Sequence, residues 1–414
     1  MDPVRIALVG IGGFGVNHLR SLKRLERNGR VKLIAVADPA LDRYAETAHG
    51  LRQEGVLCFY DFADLLEQTQ DLEAVILCTP IPLHKSMATE ALRRGLFVYL
   101  EKPPVILRSD LDDLIRLDPD TRTAVGFIGV SPSVVQRTKF RISEGEIGNL
   151  QDIRISASWP RPSWYYERSG WAGKLNVQAE PVFDGPATNA LSHYVHLASF
   201  LAAAELPEHA ALQWIEAELY RARPIEAYDT CSIRGAFTNG VTFHLALTHA
   251  CRHRTNVDVR LVGSDTTATM SFGGTGIRSD LAEVTEHSAS TLELNLDNFV
   301  RGIRGNERFF TTLSDCQPFL DIVTGMWMSS DGIRSIDASH VSTWNDEPNT
   351  VFHIADSDNA LTRSMEGLLF SEMDLPWAIK PERVFAHQIA QYDLRSALAA
   401  ASENAPLTAT GSFT

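Results

Sequence analysis

The stretch Val4-Arg5-Ile6-Ala7-Leu8-Val9-Gly10-Ile11-Gly12-Gly13-Phe14-Gly15-Val16 decides the fold. A short apolar, β-branched run reads as a buried strand, and apolar residues at helical spacing over Val16-Leu25 read as the helix that follows. Between them, Gly10 permits the tight turn, Gly12 lets backbone approach a pyrophosphate, and Gly15 allows the helix to pack closely on the strand. Ile11, Gly13 and Phe14 complete a loop whose amides and helix N-terminus face phosphate. A glycine turn alone is weak, but a second strand, Val31-Ala37, ends at Asp38, 23 residues after Gly15. A carboxylate there accepts hydrogen bonds from a ribose 2′-hydroxyl. Unliganded α/β domains also carry glycine turns and a strand-end Asp before Pro; the context favours a dinucleotide. Asp38 repels a 2′-phosphate, so NAD is the expected cofactor. NADP is the second candidate, because Arg43 one helical turn on softens that repulsion.

Outward from this turn, the first 130 residues alternate short β-branched runs (Ala74-Cys78, Phe97-Leu100, Ala124-Ile128) with helix-length segments (Asp42-Leu51, His84-Arg94). Strand, helix and strand at this spacing give βαβ units, a parallel sheet and helices on both faces. After Gly126 the texture changes. A helical segment, Ser133-Glu144, leads into longer alternating runs at Asp152-Ser158, Leu212-Arg221, Thr230-Phe237, Val241-Leu247, Val257-Val262 and Thr267-Phe272. These predict an α+β domain with a large, mostly antiparallel open sheet, crossed by apolar helices near Thr188-Ala203 and Phe319-Arg334. The expected division is a dinucleotide-binding domain over 1–128 and an α+β domain over 129–414. Within the second, 345–414 forms a helical extension, with Leu361, Met365, Leu368 and Leu369 on one face and Phe385, Ile389 and Tyr392 on another, ending in a loose tail.

The 414 residues, 44% hydrophobic and 22% charged, fit an ordinary globular chain of two or three domains. A net charge of −14 repels nucleic acid and anionic lipid, and no basic block offsets it. Five scattered cysteines, without a CxxC pair, indicate neither a disulfide framework nor a zinc knuckle. With no basic leader and no apolar run of membrane length, a cytoplasmic location is expected.

Two further clusters sit at strand ends, where open α/β sheets bind ligands. Cys78-Thr79-Pro80-Ile81-Pro82-Leu83-His84 is a Pro-rich turn entering a helix, and Gly95-Leu96-Phe97-Val98-Tyr99-Leu100-Glu101-Lys102-Pro103-Pro104 ends a strand on an acid and a base. Taken alone, Glu101 and Lys102 read equally well as a solvated loop pair.

Together, the glycine turn, the strand-end Asp38, the Thr79-Pro80…His84 turn, the Glu101-Lys102-Pro103 strand end and Gly145-Glu-Ile-Gly148 resemble the Gfo/Idh/MocA oxidoreductases. The resemblance runs in order over about residues 4–335. It implies a Rossmann domain followed by an α/β domain whose sheet often forms oligomer contacts, hence a homodimer or homotetramer through that sheet. It also implies that Thr79, Pro80, His84, Glu101 and Lys102 join Gly10 to Gly15 and Asp38 at the cofactor. By the same resemblance Lys102 contacts the reacting oxygen and His193 exchanges the proton during hydride transfer.

The family's helix signature is D-x-x-x-H, often with a second Asp. Here it reads Asn189-Ala-Leu-Ser-His193-Tyr-Val-His196, with Asn189 and His196 where the acids belong. Asn189 and His193, four apart, share a helix face. An amide orients a ring or a ligand but brings no charge to stabilise an imidazolium. A buried helix-core role for His193, and a zinc pair with His196, are the competing readings.

Relatives also carry Asn and Arg after the strand that here reads Gly126-Phe127-Ile128-Gly129, and this chain has none there. The expected replacement is the loop Trp159 to Lys174, where Trp164, Tyr165, Tyr166, Arg168 and Trp171, with His196, suit a sugar's C–H faces, hydroxyls or carboxylate. A packed aromatic loop or an oligomer interface is the alternative. His249, Cys251 and His253 alternate as on a strand edge, but with no local fourth ligand no metal is expected.

The leading expectation is therefore an NAD(P)-dependent oxidoreductase acting on a secondary alcohol or ketone of a sugar, cyclic polyol or sugar derivative, with no nucleic-acid or membrane partner. The alternatives are a non-catalytic sugar sensor that binds NAD(P), and a lyase or glycoside-cleaving enzyme using transient NAD oxidation.

Overall fold

The computed structural model describes residues 2–206, 210–274, 276–283, 289–346 and 349–403. The chain divides into two compact units, Met1–Pro132 with Glu286–Cys316, and Ser133–Thr285 with Gln317–Thr414.

The first unit holds six parallel strands, β1 (Val4–Val9), β2 (Val31–Ala37), β3 (Leu57–Phe59), β4 (Ala74–Leu77), β5 (Phe97–Leu100) and β6 (Thr123–Val125). Their order is β3-β2-β1-β4-β5-β6, so the direction of winding reverses between β1 and β4. A crevice opens at the carboxyl ends of strands on either side of such a reversal. The connecting helices are α1 (Gly15–Arg27), α2 (Ala45–Gln53), α3 (Phe62–Gln68), α4 (Ile81–Arg93) and α5 (Arg108–Leu117). Strands β1 and β4 are buried along almost their whole length, which is why they read as unbroken apolar runs. The three-residue strand β3, half-buried and at the sheet edge, lacks that signature and escaped the sequence reading.

One difference from the expected division concerns the helix Thr291–Ile303, which returns to the first unit. It buries Leu292, Leu296, Phe299 and Val300 in the same core as Leu22, Leu25 and Tyr99. A helical period shows that one face is buried, not which neighbour covers it.

The second unit begins with α6 (Ser133–Ser143), β7 (Leu150–Ser158), α7 (Ser163–Glu167), a small ladder of β8 (Asn176–Val177) and β9 (Glu180–Pro181), and α8 (Ser192–Ala202). Then come β10 (Leu212–Arg221), β11 (Thr230–Phe237), β12 (Thr242–Thr248), β13 (Val257–Gly263), β14 (Thr267–Gly273) and β15 (Gly276–Ser279). After the returned helix, which is α9, follow α10 (Gln317–Ser330), β16 (Arg334–Ser335), β17 (Val341–Asp346), β18 (Asn349–Ile354), α11 (Ser357–Ser364), β19 (Val384–Phe385), α12 (Ala386–Ile389) and α13 (Leu394–Glu403). The nine-stranded sheet runs β15-β14-β13-β7-β12-β11-β10-β16, with β19 also beside β10. It is mixed: β7 lies parallel to β12, and β10 to β16, among antiparallel neighbours.

Strand alternation gives this sheet two different faces. Ile153, Ile155, Ile215, Leu219, Phe243 and Leu245 point to one side, where Gly325 brings α10 so close that a Cβ would lie 2.5 Å from Ile215. The other side carries Arg154, Ser156, Glu216, Glu218, Tyr220 and Arg234, and the chain covers it with residues beyond α10. Arg154 donates to the Met365 carbonyl at 3.0 Å, Arg234 pairs with Glu372 at 2.9 Å, and Tyr220 meets Trp377 edge-on at 5.1 Å. That part of the polar face is thus covered by the chain itself.

Asn345 was expected to open a helical extension; it lies instead in the β17–β18 hairpin, whose pairing of Val341 with Ile354 the sequence reading did not separate from the helices beyond. The loose tail expected at the C-terminus lies outside the described residues.

Candidate functional site

In the first unit the glycine turn joins β1 to α1 as read. A Cβ on Gly10, at φ +85°, would stand 2.2 Å from the Cys78 carbonyl oxygen, and one on Gly15 would stand 2.0 Å from that of Gly10. Backbone approach, not flexibility, requires both glycines. At Gly12 the absent side chain makes room for the Tyr44 hydroxyl, 2.1 Å from a Cβ there, a contact the sequence reading missed. Gly13, at φ +52°, faces open space. Ile11 is buried, whereas Phe14 is exposed and sets its edge on the His18 ring.

Asp38 stands at the end of β2 as expected, nearly buried. Its Oδ2 accepts from the Ile11 and Gly12 amides at 2.9 and 3.4 Å, and Oδ1 accepts from the Ala40 amide at 2.8 Å. The carboxylate therefore shapes the turn first, and with about four acceptor sites retains capacity for a hydroxyl.

Thr79, just past β4, has a buried Oγ1 with no hydrogen-bond partner among the described residues, at the crevice where the strand order reverses. Pro80 caps α4 and is exposed. His84, expected at the cofactor, is buried with Nε2 2.8 Å from the Thr79 carbonyl and Nδ1 3.0 Å from that of Pro103. It lies between two strand-end loops, and its single N–H in the neutral form can donate to one of the two carbonyls. Burial lowers its pKa, against the pull of those carbonyls and of Glu101.

Glu101 and Lys102 are not a solvated pair. Glu101 is 7% exposed, and its Oε1 lies 2.7 Å from Nε2 of His18, a fully buried side chain of α1. Burial raises the Glu101 carboxyl, but the His18 hydrogen bond and the charges of His18 and Lys102 outweigh it, leaving its pKa below the ordinary value. Oε2 accepts from the Lys102 amide at 3.1 Å, so the buried acid fixes the backbone that carries the lysine. His18 carried no signal beyond its place one turn into α1.

In the second unit Asn189 and His193 do not share one regular helix. Pro186–Ala190 forms a single wide π turn closed by the Leu191 amide on the Pro186 carbonyl at 2.8 Å, and α8 starts afresh at Ser192. Such wide turns gather at functional sites. Both side chains are half-buried, whereas His196, expected to face substrate, is 2% exposed within α8.

A buried acid stands five residues upstream of Asn189. Asp184, buried, accepts from Asn189 Nδ2 at 2.8 Å through Oδ1 and from the Gly173 amide at 2.7 Å through Oδ2. It thereby turns Asn189 Oδ1 away from itself and ties the π turn to the aromatic loop. The run Asp184-Gly185-Pro186 was its only trace in the sequence. Gly185 is required because Tyr228 lies 2.3 Å from where its Cβ would be.

The aromatic loop folds on itself. The guanidinium carbons of Arg161 and Arg168 stand 4.6 and 3.5 Å from the Tyr165 ring centre, and Arg168 also faces Trp171 at 4.9 Å. Burial and the charge of Asp184 raise the Tyr165 hydroxyl, while Arg168 and Arg161 pull it back. Tyr166 is covered by Arg223 at 4.6 Å, Trp171 is half-buried, and Trp164 remains exposed. Behind them Arg223 and Asp229 form a buried pair at 3.1 Å. His249 and Cys251 lie past the end of β12, buried, with His253 exposed, so the three do not share a strand face. Among the described residues no three His, Cys, Asp or Glu side chains gather as metal ligands.

Against known proteins, residues 4–126 match the model of the oxidoreductase family with an NAD-binding Rossmann fold, and residues 135–269 match the GFO/IDH/MocA C-terminal domain. The chain belongs to the Gfo/Idh/MocA family. Inositol 2-dehydrogenase of Rhizobium meliloti (strain 1021) is 28% identical over 173 residues, 40% of this chain and 49% of that protein. The Streptomyces avermitilis inositol 2-dehydrogenase is 28% identical over 207 residues, 49% of this chain and 54% of that one. The chain thus spans about half the length of the curated relatives it matches. Two solved structures share the fold. The WlbA dehydrogenase of Bordetella pertussis, in complex with NADH and UDP-GlcNAcA, has a TM-score of 0.65 at 22% identity, covering 80% of this chain and 97% of that one. Myo-inositol 2-dehydrogenase of Lactobacillus plantarum has a TM-score of 0.62 at 18% identity, covering 80% and 98%.

The residues present fit the family's NAD: a glycine turn with no room for side chains at Gly10 and Gly15, a strand-end carboxylate at Asp38, and the partnerless Thr79 Oγ1 at the crevice.

Proposed function

We propose that this protein is an NAD-dependent oxidoreductase that interconverts a secondary alcohol and a ketone on a sugar, cyclic polyol or sugar derivative. The observation that carries the reading is Lys102 at the carboxyl end of β5, its backbone fixed by the buried Glu101–His18 pair. A cation presented there, beside a dinucleotide turn, suits a reacting oxygen rather than a surface. NAD, when bound, supplies the hydride acceptor. In the oxidative direction Lys102 holds the oxygen and stabilises its developing negative charge. His193 takes the hydroxyl proton as general base. Asn189, oriented by Asp184, holds a substrate hydroxyl or the His193 ring; the buried carboxylate supplies through one amide the negative field that relatives place directly. The five free thiols support work in the cytoplasm. Among the described residues no helix is long and apolar enough to cross a membrane.

The test is a scan of NAD and NADP reduction over inositols, hexoses, sugar acids and sugar nucleotides, followed by Lys102→Ala and His193→Ala on the best substrate. At least 100-fold loss of kcat in each, with NAD still bound, is expected. Full turnover by both variants would sink the assignment, and bound NAD with no net reduction in the wild type would favour the lyase or sensor readings.

A further inference from the structure

The segment from Trp159 to Ser169, together with His249, concentrates buried polar atoms that have no hydrogen-bond partner among the described residues. They are Trp159 Nε1, Arg161 Nε, Tyr166 Oη, Ser169 Oγ and His249 Nε2. Buried polar groups are ordinarily satisfied, so a cluster of exceptions in one place marks groups held for something other than the fold.

His249 is the most telling of them. It is 2% exposed, and its Nδ1 lies 2.9 Å from the Trp159 carbonyl oxygen, which can only accept. The proton must therefore be on Nδ1, leaving Nε2 as a bare lone pair that needs a donor. Burial, then the charges of Arg161, Arg223 and Arg168, push the imidazole pKa well down, so Nε2 stays unprotonated across the physiological range.

The charges are equally unbalanced. Arg223 has its carboxylate, Asp229, at 3.1 Å. Arg161 and Arg168, on the Tyr165 ring, have none among the described residues; Arg168 donates only to the Tyr165 carbonyl. Arg254, over Trp159 at 4.2 Å, adds a third cation without a carboxylate among the described residues. Water can satisfy an isolated N–H, but guanidiniums held together by aromatic rings call for a counter-charge, and planar N–H groups match the oxygens of a carboxylate or a phosphate.

We propose that this cluster binds an oxyanion on the substrate, held by Arg161 and Arg168, beside a substrate hydroxyl that donates to His249 Nε2. The substrate class is thus an acidic polyol, a sugar acid or sugar phosphate, rather than a neutral sugar. The inference rests on the oxidoreductase reading for what happens to that substrate, though not for its binding. Asp184, bonded to the Gly173 amide of the same loop and to Asn189, connects the subsite to the π turn before His193.

The test is equilibrium binding by calorimetry to the full chain with NAD present, using gluconate, galacturonate, glucose 6-phosphate and, as neutral controls, glucose and myo-inositol. At least one anion should bind 10-fold or more tightly than either control, and the identity of that anion distinguishes carboxylate from phosphate. Arg168→Gln changes an exposed side chain; it should weaken the anion 10-fold or more, leave the controls unchanged, and leave the melting temperature unchanged. His249→Gln should weaken the anion and the controls alike. Controls binding as well as every anion, no anion binding at 10 mM, or Arg168→Gln weakening anion and controls equally would each overturn the proposal. An anion bound in an Arg168-dependent way without any NADH formation would instead count against the oxidoreductase reading and leave this one standing.

Discussion

Replacing Glu218 with Gln should make the protein more stable above neutral pH and leave it nearly unchanged in mild acid. Glu218 sits on β10 with no solvent exposure, and burial pushes its carboxyl from the ordinary 4.5 up to about 7. Three donors oppose that shift without cancelling it: the Ser371 amide at 3.1 Å, the Ser371 hydroxyl at 2.7 Å and the Tyr220 hydroxyl at 2.9 Å. Between pH 4.5 and about 7 the folded chain holds a proton that the unfolded chain has released, so stability falls as pH rises across that window. At about 1.4 kcal/mol per pH unit, the loss is about 3 kcal/mol, complete above pH 7. Glutamine carries no charge to desolvate. Its Oε1 can accept from Ser371, and the Tyr220 hydroxyl, which already receives the Ile379 amide at 2.8 Å, can turn to accept from its Nε2. Thermal unfolding at pH 5 and pH 8.5 reads the effect. At ~2–4 °C per kcal/mol for a unit of this size, Glu218→Gln should melt roughly 6–12 °C above wild type at pH 8.5. The two proteins should agree within about 1 kcal/mol at pH 5. An equal shift at both pH values, or a lower melting point at pH 8.5, refutes the reasoning.

Three further outcomes follow from the two units. Gly15→Ala forces a Cβ to 2.0 Å from the Gly10 carbonyl and should abolish NADH binding measured by fluorescence, whereas Gly13→Ala, strained but in open space, should destabilise by only about 1 kcal/mol; equal binding by Gly15→Ala and wild type would contradict the packing account. Glu101→Gln removes the charge beside His18 and should lower stability by about 1–3 kcal/mol, along with kcat through the loosened Lys102 backbone, and unchanged urea midpoints and rates would remove Glu101 from the argument. Asp184→Asn should cut kcat about 10-fold or more through the misoriented Asn189 amide, and a wild-type kcat would show that Asp184 does not do the missing acid's work.

The dinucleotide turn and strands were legible because their reasons are local: backbone crowding at Gly10 and Gly15, and burial on both faces of β1 and β4. The same holds for Asp38, whose place follows from the length of one βαβ step. What escaped was set by contacts distant in sequence. Nothing near Glu101 announces His18, 83 positions earlier, and nothing near Leu292 announces Leu22. Asn189 looked like a lost acid because motif spacing cannot see that a π turn folds Asp184 back against it. From the sequence, His249 reads as an ordinary strand end or, less well, as a metal ligand. Its tautomer, and so its use, is decided by a carbonyl 90 residues away.

The cover over the polar face of the large sheet bears on how stability responds to protein concentration. When a second subunit shields such a face, melting temperature rises with protein concentration, because dilution pulls the assembly apart. Here Met365, Glu372 and Trp377 reach Arg154, Arg234 and Tyr220 from within the same chain, so the cover stays at a fixed, high effective concentration. The share of stability that this cover contributes should therefore stay the same over a 100-fold dilution, whatever the rest of the sheet meets.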